Sequence, residues 1–186
     1  LRYHRPLKVF HLIIKIGDPI WKIANQTWMA ENLNYDAKGS VCYDNNPANC
    51  EKYGRLYNWE TAMKVCPSGW HLPSTAEWEV MTAYICGAKT EGKKLKSKSG
   101  WNDYKGESGN GTDEFGFSAL PGGAGGPPGG FGGFGNLGNC GTWWSANEGS
   151  SNGAYSRYMC SDYAPKFAFW DYNFKHNLYS VRCLKD

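Results

Sequence analysis

Residues Cys66 to Gly87 read CPSGWHLPSTAEWEVMTAYICG, and this stretch decides how the rest of the chain is read. Ser74 and Glu77 have the S-x-x-E spacing of a capping box, in which each side chain satisfies an orphan backbone donor at a helix start. Trp78, Met81, Thr82 and Ile85 then recur at the period of one buried helical face. Gly87 supplies the left-handed residue that ends such a run. Ahead of the helix, Pro67-Ser68-Gly69 forms a turn, and Trp70 and Leu72 need burial nearby. His71, set between those two, reads as a packed core histidine. Working back from Cys66, the residues Leu56, Trp59, Ala62 and Met63 give a shorter helical period that ends at the cysteine. The stretch is a packing core of two helices with Cys66 at its head.

A chain of 186 residues suits one domain with a real core. The net charge of +3 is too small to argue for nucleic acid or a membrane surface. Aromatic residues make up 16% of the chain and glycine contributes 24 positions, while Leu, Ile and Val are sparse. Such a composition favours a loop-rich domain with aromatic clusters over a sheet of continuous aliphatic strands. Seven cysteines, none in C-x-x-C spacing, point to disulfides and an oxidising compartment rather than a zinc ribbon. Their odd count leaves a thiol unpaired.

Residues 1–20 hold the one aliphatic run, Val9 to Ile16, too short to span a bilayer and lacking a cleavage site after it. It reads as a strand extension with Phe10, Leu12, Ile14 and Ile16 on one face, able to pair with another chain if it lies at a sheet edge. Residues 21–186 form the single domain. Two short apolar runs flank Asn25-Gln26 as a hairpin or bend, and residues 36–55 read as a turn-rich loop that a disulfide between Cys42 and Cys50 would staple. The lysines from Lys89 to Lys98 read as a solvated helix end and loop, since no aromatic interleaving supports nucleic-acid stacking.

From residue 99 the texture changes to loops. The string Gly130-Phe-Gly-Gly-Phe-Gly135 is formally G-x-G-x-x-G, but with no strand before it and no helix after it the string reads as loop. Short β-like pieces follow: TWWSAN, AYSRYM, KFAFWDY and LYSVRC. The turn between Glu148 and Gly153 makes the first two a hairpin. In the last piece Tyr179, Val181 and Cys183 share one face, with Ser180 and Arg182 on the other.

Seven blocks then carry a resemblance: Gln26–Tyr35 (QTWMAENLNY), Tyr53–Tyr57 (YGRLY), Cys66–Ser74 (CPSGWHLPS), Gly92–Ser97 (GKKLKS), Gly116–Gly123 (GFSALPGG), Trp143–Ala146 (WWSA) and Ser180–Cys183 (SVRC). Together, in this order, they resemble the Fibrobacter succinogenes major paralogous domain across roughly residues 21–184. The resemblance implies an α+β, C-type-lectin-like fold, similar also to the formylglycine-generating enzyme. Such a fold has two helices, a small twisted antiparallel sheet and a long irregular Gly-rich loop region. It further implies a secreted or surface protein of bacteria, often joined to other modules. The Gly/Pro/Phe insertion at residues 124–139 and Cys86, Cys140 and Cys160 depart from the family pattern.

No catalytic constellation is legible. His4, His11, His71 and His176 are scattered, with no H-E-x-x-H helix, and no G-x-S-x-G elbow occurs. The chain is therefore read as non-enzymatic: an extracellular binding or adhesion module for a glycan or a surface protein, carbohydrate first. Sugar rings stack on aromatic faces while carboxylates and amides take their hydroxyls. The candidates are Trp101, Asp103, Tyr104, Asn147, Glu148, Trp170, Asp171 and Tyr172. Trp70, Trp143 and Trp144 read as core, and Trp101, Tyr104, Trp170 and Tyr172 read equally as core or as ligand platform. The alternative function is a structural subunit of a fibre or matrix that self-assembles through residues 1–20. No cofactor is required. Calcium is an optional ion for the loop Trp101–Phe117, where Asn102, Asp103, Asn110, Asp113 and Glu114 offer oxygens, although ordinary turn residues would look the same. The expected disulfides are Cys42–Cys50, Cys66–Cys183 and Cys140–Cys160. A turn centred between Ser150 and Ser151 brings the last two cysteines opposite one another, leaving Cys86 as the free thiol.

Overall fold

A computed structural model describes residues 20–85, 91–126, 133–161 and 169–186. The N-terminal strand extension, the thiol of Cys86 and the helix-ending Gly87 lie outside the described residues.

The chain opens on a hairpin, β1 (Ile20–Ile23) and β2 (Gln26–Met29), turned at Ala24-Asn25 with Ala24 in the left-handed region. Residues 36–55 are more ordered than a stapled loop. β3 (Ser40–Val41) leads into a short 3-10 turn, Tyr43–Asn45, and then α1 (Pro47–Tyr53). Asn46 caps that helix by accepting from the Ala48 amide, and Pro47 fills a first-turn position whose N–H would otherwise go unused. Those two residues give the turn-like composition and also start the helix. After β4 (Leu56–Tyr57), α2 (Trp59–Val65) begins three residues later than the Leu56 periodicity suggests, because the Asn58 side chain accepts from Thr61 N and sets the start.

β5 (Trp70–His71) precedes α3 (Thr75–Tyr84), whose capping box is formed as read, with both Ser74 and Glu77 contacts present. Trp78, Met81 and Ile85 are fully buried. α4 (Glu91–Leu95) follows. Within the Gly-rich region, β6 (Gly122–Gly125) and β7 (Phe134–Leu137) pair antiparallel, so a strand does precede the Gly130–Gly135 string; β7 takes in its last two residues, and no helix follows it among the described residues. β8 (Cys140–Glu148) and β9 (Gly153–Cys160) make the expected hairpin, with Cys140 opposite Cys160 and a bulge between Trp144 and Glu148. β10 (Phe169–Phe174), β11 (Tyr179–Ser180) and β12 (Leu184–Lys185) complete the chain.

The fold class is mixed α+β, but it departs from two helices on one small antiparallel sheet. Four helices occur among the described residues, and the strands form two sheets. The 4-stranded sheet has the order β1-β2-β12-β5. The 8-stranded sheet runs β10-β9-β8-β11-β4-β3, with β6 branching from β8 and β7 pairing with β6. β8 pairs in parallel with both β11 and β6, so this sheet is not purely antiparallel.

Residues 179–185 join the two sheets. The alternation read in LYSVRC holds: Tyr179, Val181 and Cys183 enter one core cluster. The opposite face is not solvent, however, because Ser180 and Arg182 are fully buried too. β8 shows the same division, with Trp143 in one cluster and Trp144 in the other. The first cluster is aromatic: Trp28 lies 4.8 Å from Trp78, and Phe117 lies 5.9 and 5.8 Å from those two rings. Tilted and edge-on ring pairs of this kind add about 0.5–1.5 kcal/mol each beyond area burial. All three expected disulfides are formed, and Cys66–Cys183 ties the end of α2 to the crossing segment.

Candidate functional site

A cleft of about 280 Å³ opens between the β1–β2 hairpin, α1 and the turn at Ser118. Trp21 forms one wall. It stands on β1, the end strand of its sheet among the described residues, and keeps 46% of its surface exposed, whereas Ile23, two residues on and on the same face, is fully buried. The backbone of Gly116 runs under the indole: a Cβ at Gly116 would come within 2.5 Å of the ring, and the residue has φ +70°. Only glycine combines that approach with that backbone at no cost. The rim carries the exposed side chains of Glu31, Asn34, Glu51 and Lys52. The Lys52 ammonium lies 4.9 Å from the Tyr53 ring centroid, so the rim carries charges of both signs.

The floor is a buried polar hub. Asn32 Oδ1 accepts from Trp143 Nε1 at 2.8 Å and from Arg182 Nη2 and Nε at 2.7 and 3.2 Å. Its amide nitrogen donates to the Tyr53 carbonyl at 2.8 Å, fixing the end of α1. Gly54 makes this possible, since at φ +78° its Cβ position falls 2.7 Å from the Asn32 side chain. Arg182 is fully buried and donates also to the carbonyls of Ala30, at 3.1 Å, and of Phe117. The guanidinium lies 4.3 Å over the Phe117 ring. Burial pushes Arg182 down to about 9, partly offset by the fields of Glu31 and Asp113, so it stays charged at neutral pH. One guanidinium thus holds both walls of the cleft, the segment after β2 and the segment before Ser118.

The residues singled out from sequence do not gather in one place. Trp101 is only 4% exposed, and its indole donates to Ser97 Oγ and the Ala119 carbonyl. It is core and presents no stacking face, because the Lys96 ammonium sits 4.5 Å from its ring centroid. Tyr104 and Asp103 are exposed on the same loop. Of the calcium candidates, Asn110 accepts from Trp101 N, Asp113 accepts from the Ser118 amide and hydroxyl, and Glu114 accepts from Thr112 and pairs with Lys94 at 3.7 Å. Asn102 donates to Asn139. No group of three or more His, Cys, Asp or Glu side chains able to hold a metal occurs among the described residues.

Asn147 is exposed but accepts from Thr75 N and Oγ1, acting as a second cap on α3, and Glu148 pairs with Lys175. Trp170, Asp171 and Tyr172 stand on β10 opposite Arg157, Ser156 and Tyr155. Trp143 and Trp144 are core as read, while Trp70 is half-buried. His71 is a correction: it is half-exposed and bridges Glu77 and Asp186, because β5 ends its sheet among the described residues rather than lying inside it.

Sequence reasoning missed Trp21, Asn32 and Arg182. A signal was present for the last, a lone cation in the apolar-flanked run Val181-Arg-Cys-Leu184, since a charge is buried there only if the fold supplies it acceptors. No helix among the described residues is long and apolar enough to cross a membrane. Comparison with curated proteins and with solved structures returned no match. Residues 21–185, covering the hairpin, the cleft, the hub and all three disulfides, match the family described as the Fibrobacter succinogenes major domain, and the chain belongs to that family.

Proposed function

We propose that the protein is a non-catalytic, extracellular binding module of C-type-lectin-like type that recognises carbohydrate through the Trp21 cleft. The supporting observation is the juxtaposition in one concavity of a half-exposed indole with amide and carboxylate side chains, Asn34, Glu31 and Glu51. An indole face takes the apolar face of a sugar ring, and carboxylates and amides accept or donate to its hydroxyls. The buried hub beneath keeps the cleft preformed, which lowers the ordering cost of binding. Three disulfides suit a secreted or surface location, since such bonds persist in oxidising compartments.

A glycan array probed with the intact protein and with Trp21→Ala tests this reading. Saturable binding that the variant loses supports it; an empty array, or unchanged binding by the variant, overturns it. Calcium would enter this reading only by drawing Asp113 from Ser118 and Glu114 from Lys94, and an unfolding midpoint unchanged by chelator removes it.

One observation favours a second reading, a structural subunit of a surface fibre or matrix. β1 ends the 4-stranded sheet among the described residues, and Ile20 and Trp21 on it are each 46% exposed. An open strand edge with apolar side chains is a surface for β-pairing with another chain. Light scattering after size exclusion distinguishes the two: oligomers that dissociate when residues 1–19 are removed favour assembly, and a monomer favours the binding module.

A further inference from the structure

His71 on β5 sits between two carboxylates that come from different elements. Its Nε2 lies 2.9 Å from Glu77 Oε1 and its Nδ1 lies 2.6 Å from Asp186 Oδ1. An ionised carboxylate only accepts hydrogen bonds, so both contacts are satisfied only when both ring nitrogens carry protons. The second oxygen of Glu77 is already engaged, accepting from Ser74 N at 2.7 Å and Ser74 Oγ at 2.8 Å. The carboxylate that starts α3 therefore also grips the ring. On the other side, Leu184 and Lys185 of β12 pair with His71 and Trp70, and the Asp186 amide donates to the Gly69 carbonyl at 3.1 Å.

We propose that His71 is a proton-controlled latch, whose imidazolium ties β12 and the start of α3 to β5 and whose deprotonation releases one of the two carboxylates. The neutral ring has one N–H, so one carboxylate must then face a bare nitrogen. The charged groups facing the latch are Glu77 from α3 and Asp186 and Lys185 from the β12 side; Glu77, Lys185 and Asp186 also line a shallow cleft beside it. The ring is 38% exposed, so water can take up the released group and the change is reversible.

Burial by itself lowers the His71 pKa, but the hydrogen bonds and charges of Asp186 and Glu77 outweigh it and leave the pKa above the usual histidine value. For Glu77, burial pushes upward, while Ser74 and His71 outweigh it and hold the carboxyl below the usual range. A raised histidine stabilises fully below its unfolded pKa and ceases to do so as pH rises through the folded one. A lowered carboxylate stabilises above its unfolded pKa and ceases as pH falls through the folded one. The latch is tightest in the mildly acidic window between them. None of this depends on what the Trp21 cleft binds.

The test is an NMR titration of the His71 ring in the folded protein, alongside thermal unfolding as a function of pH for the wild type, His71→Gln and Asp186→Asn. The expected result is a ring midpoint above about 6.5, the ordinary histidine value, that moves down toward it in Asp186→Asn. The wild-type Tm falls as pH rises through that midpoint, and His71→Gln removes that part of the slope. A ring that titrates at or below the ordinary value, or a slope unchanged in His71→Gln, overturns the latch. The ring titration is read on folded protein, so it stands even where a variant loses stability.

Discussion

Replacing Asn32 by Leu keeps the volume of the side chain and deletes the oxygen on which the cleft floor converges. That oxygen accepts from Trp143 Nε1 and from Arg182 Nε and Nη2, all on fully buried side chains. A buried donor left without an acceptor costs about 1–3 kcal/mol, which applies to the Trp143 indole. Arg182 fares worse, because burial already pushes its guanidinium down to about 9 and the variant removes its side-chain acceptor. A hydrogen bond to a buried charged group contributes more than a neutral one, about 1.5–3 kcal/mol. The two terms share one oxygen and do not add in full, so the expected loss is about 2–4 kcal/mol. For a chain of this length that lowers Tm by roughly 4–16 °C. Arg182→Met, which removes the charge itself, is expected to cost less than Asn32→Leu. The double variant is expected to be more stable than the sum of the singles implies, by at least about 1 kcal/mol. Thermal and urea unfolding followed by circular dichroism reads all four proteins. A Tm for Asn32→Leu within about 2 °C of wild type would show that the hub does not depend on this oxygen, as would strict additivity of the pair.

Breaking Cys66–Cys183 by a double Ser substitution frees a loop of sequence separation 117 and is expected to cost about 4–5 kcal/mol in the chain-entropy account; non-reducing peptide mapping and Tm check it. Gly116→Ala forces a Cβ to within 2.5 Å of the Trp21 ring. It should shift the indole, seen as a change in tryptophan emission, and weaken glycan binding severalfold, for about 1–2 kcal/mol of backbone strain. Trp101→Ala should cost about 3–5 kcal/mol in stability while the folded fraction keeps its ligand affinity, since that ring is core.

Much of the scaffold was legible because it rests on local or pairwise chemistry. The capping box at Ser74 and Glu77 is a contact between residues three apart, and the Cys140–Cys160 bridge follows from hairpin register. The helix α1 was hidden because Asn46 and Pro47 serve turns and helix starts alike. The cleft was not legible at all. Trp21 and Gly116 meet across 95 residues, Asn32 and Arg182 across 150, and no periodicity encodes such pairs. Trp101 stayed open between core and platform because polar neighbours such as Asn102 and Asp103 suggest exposure, whereas its one indole N–H is shared between Ser97 Oγ and the Ala119 carbonyl. His71 misled because its apolar neighbours suggest burial, yet β5 ends its sheet among the described residues.

In the proposed binding mode, ligand meets protein at the Trp21 indole. The direct measurement is titration of the isotope-labelled protein with the best glycan from an array, following the tryptophan indole N–H resonances and assigning Trp21 by its loss in Trp21→Phe. The expected result is that the Trp21 resonance shifts saturably while those of buried Trp28, Trp78 and Trp143 stay nearly fixed. Saturable shifts that leave Trp21 unmoved and fall instead on Tyr104 or the β10 backbone would contradict it.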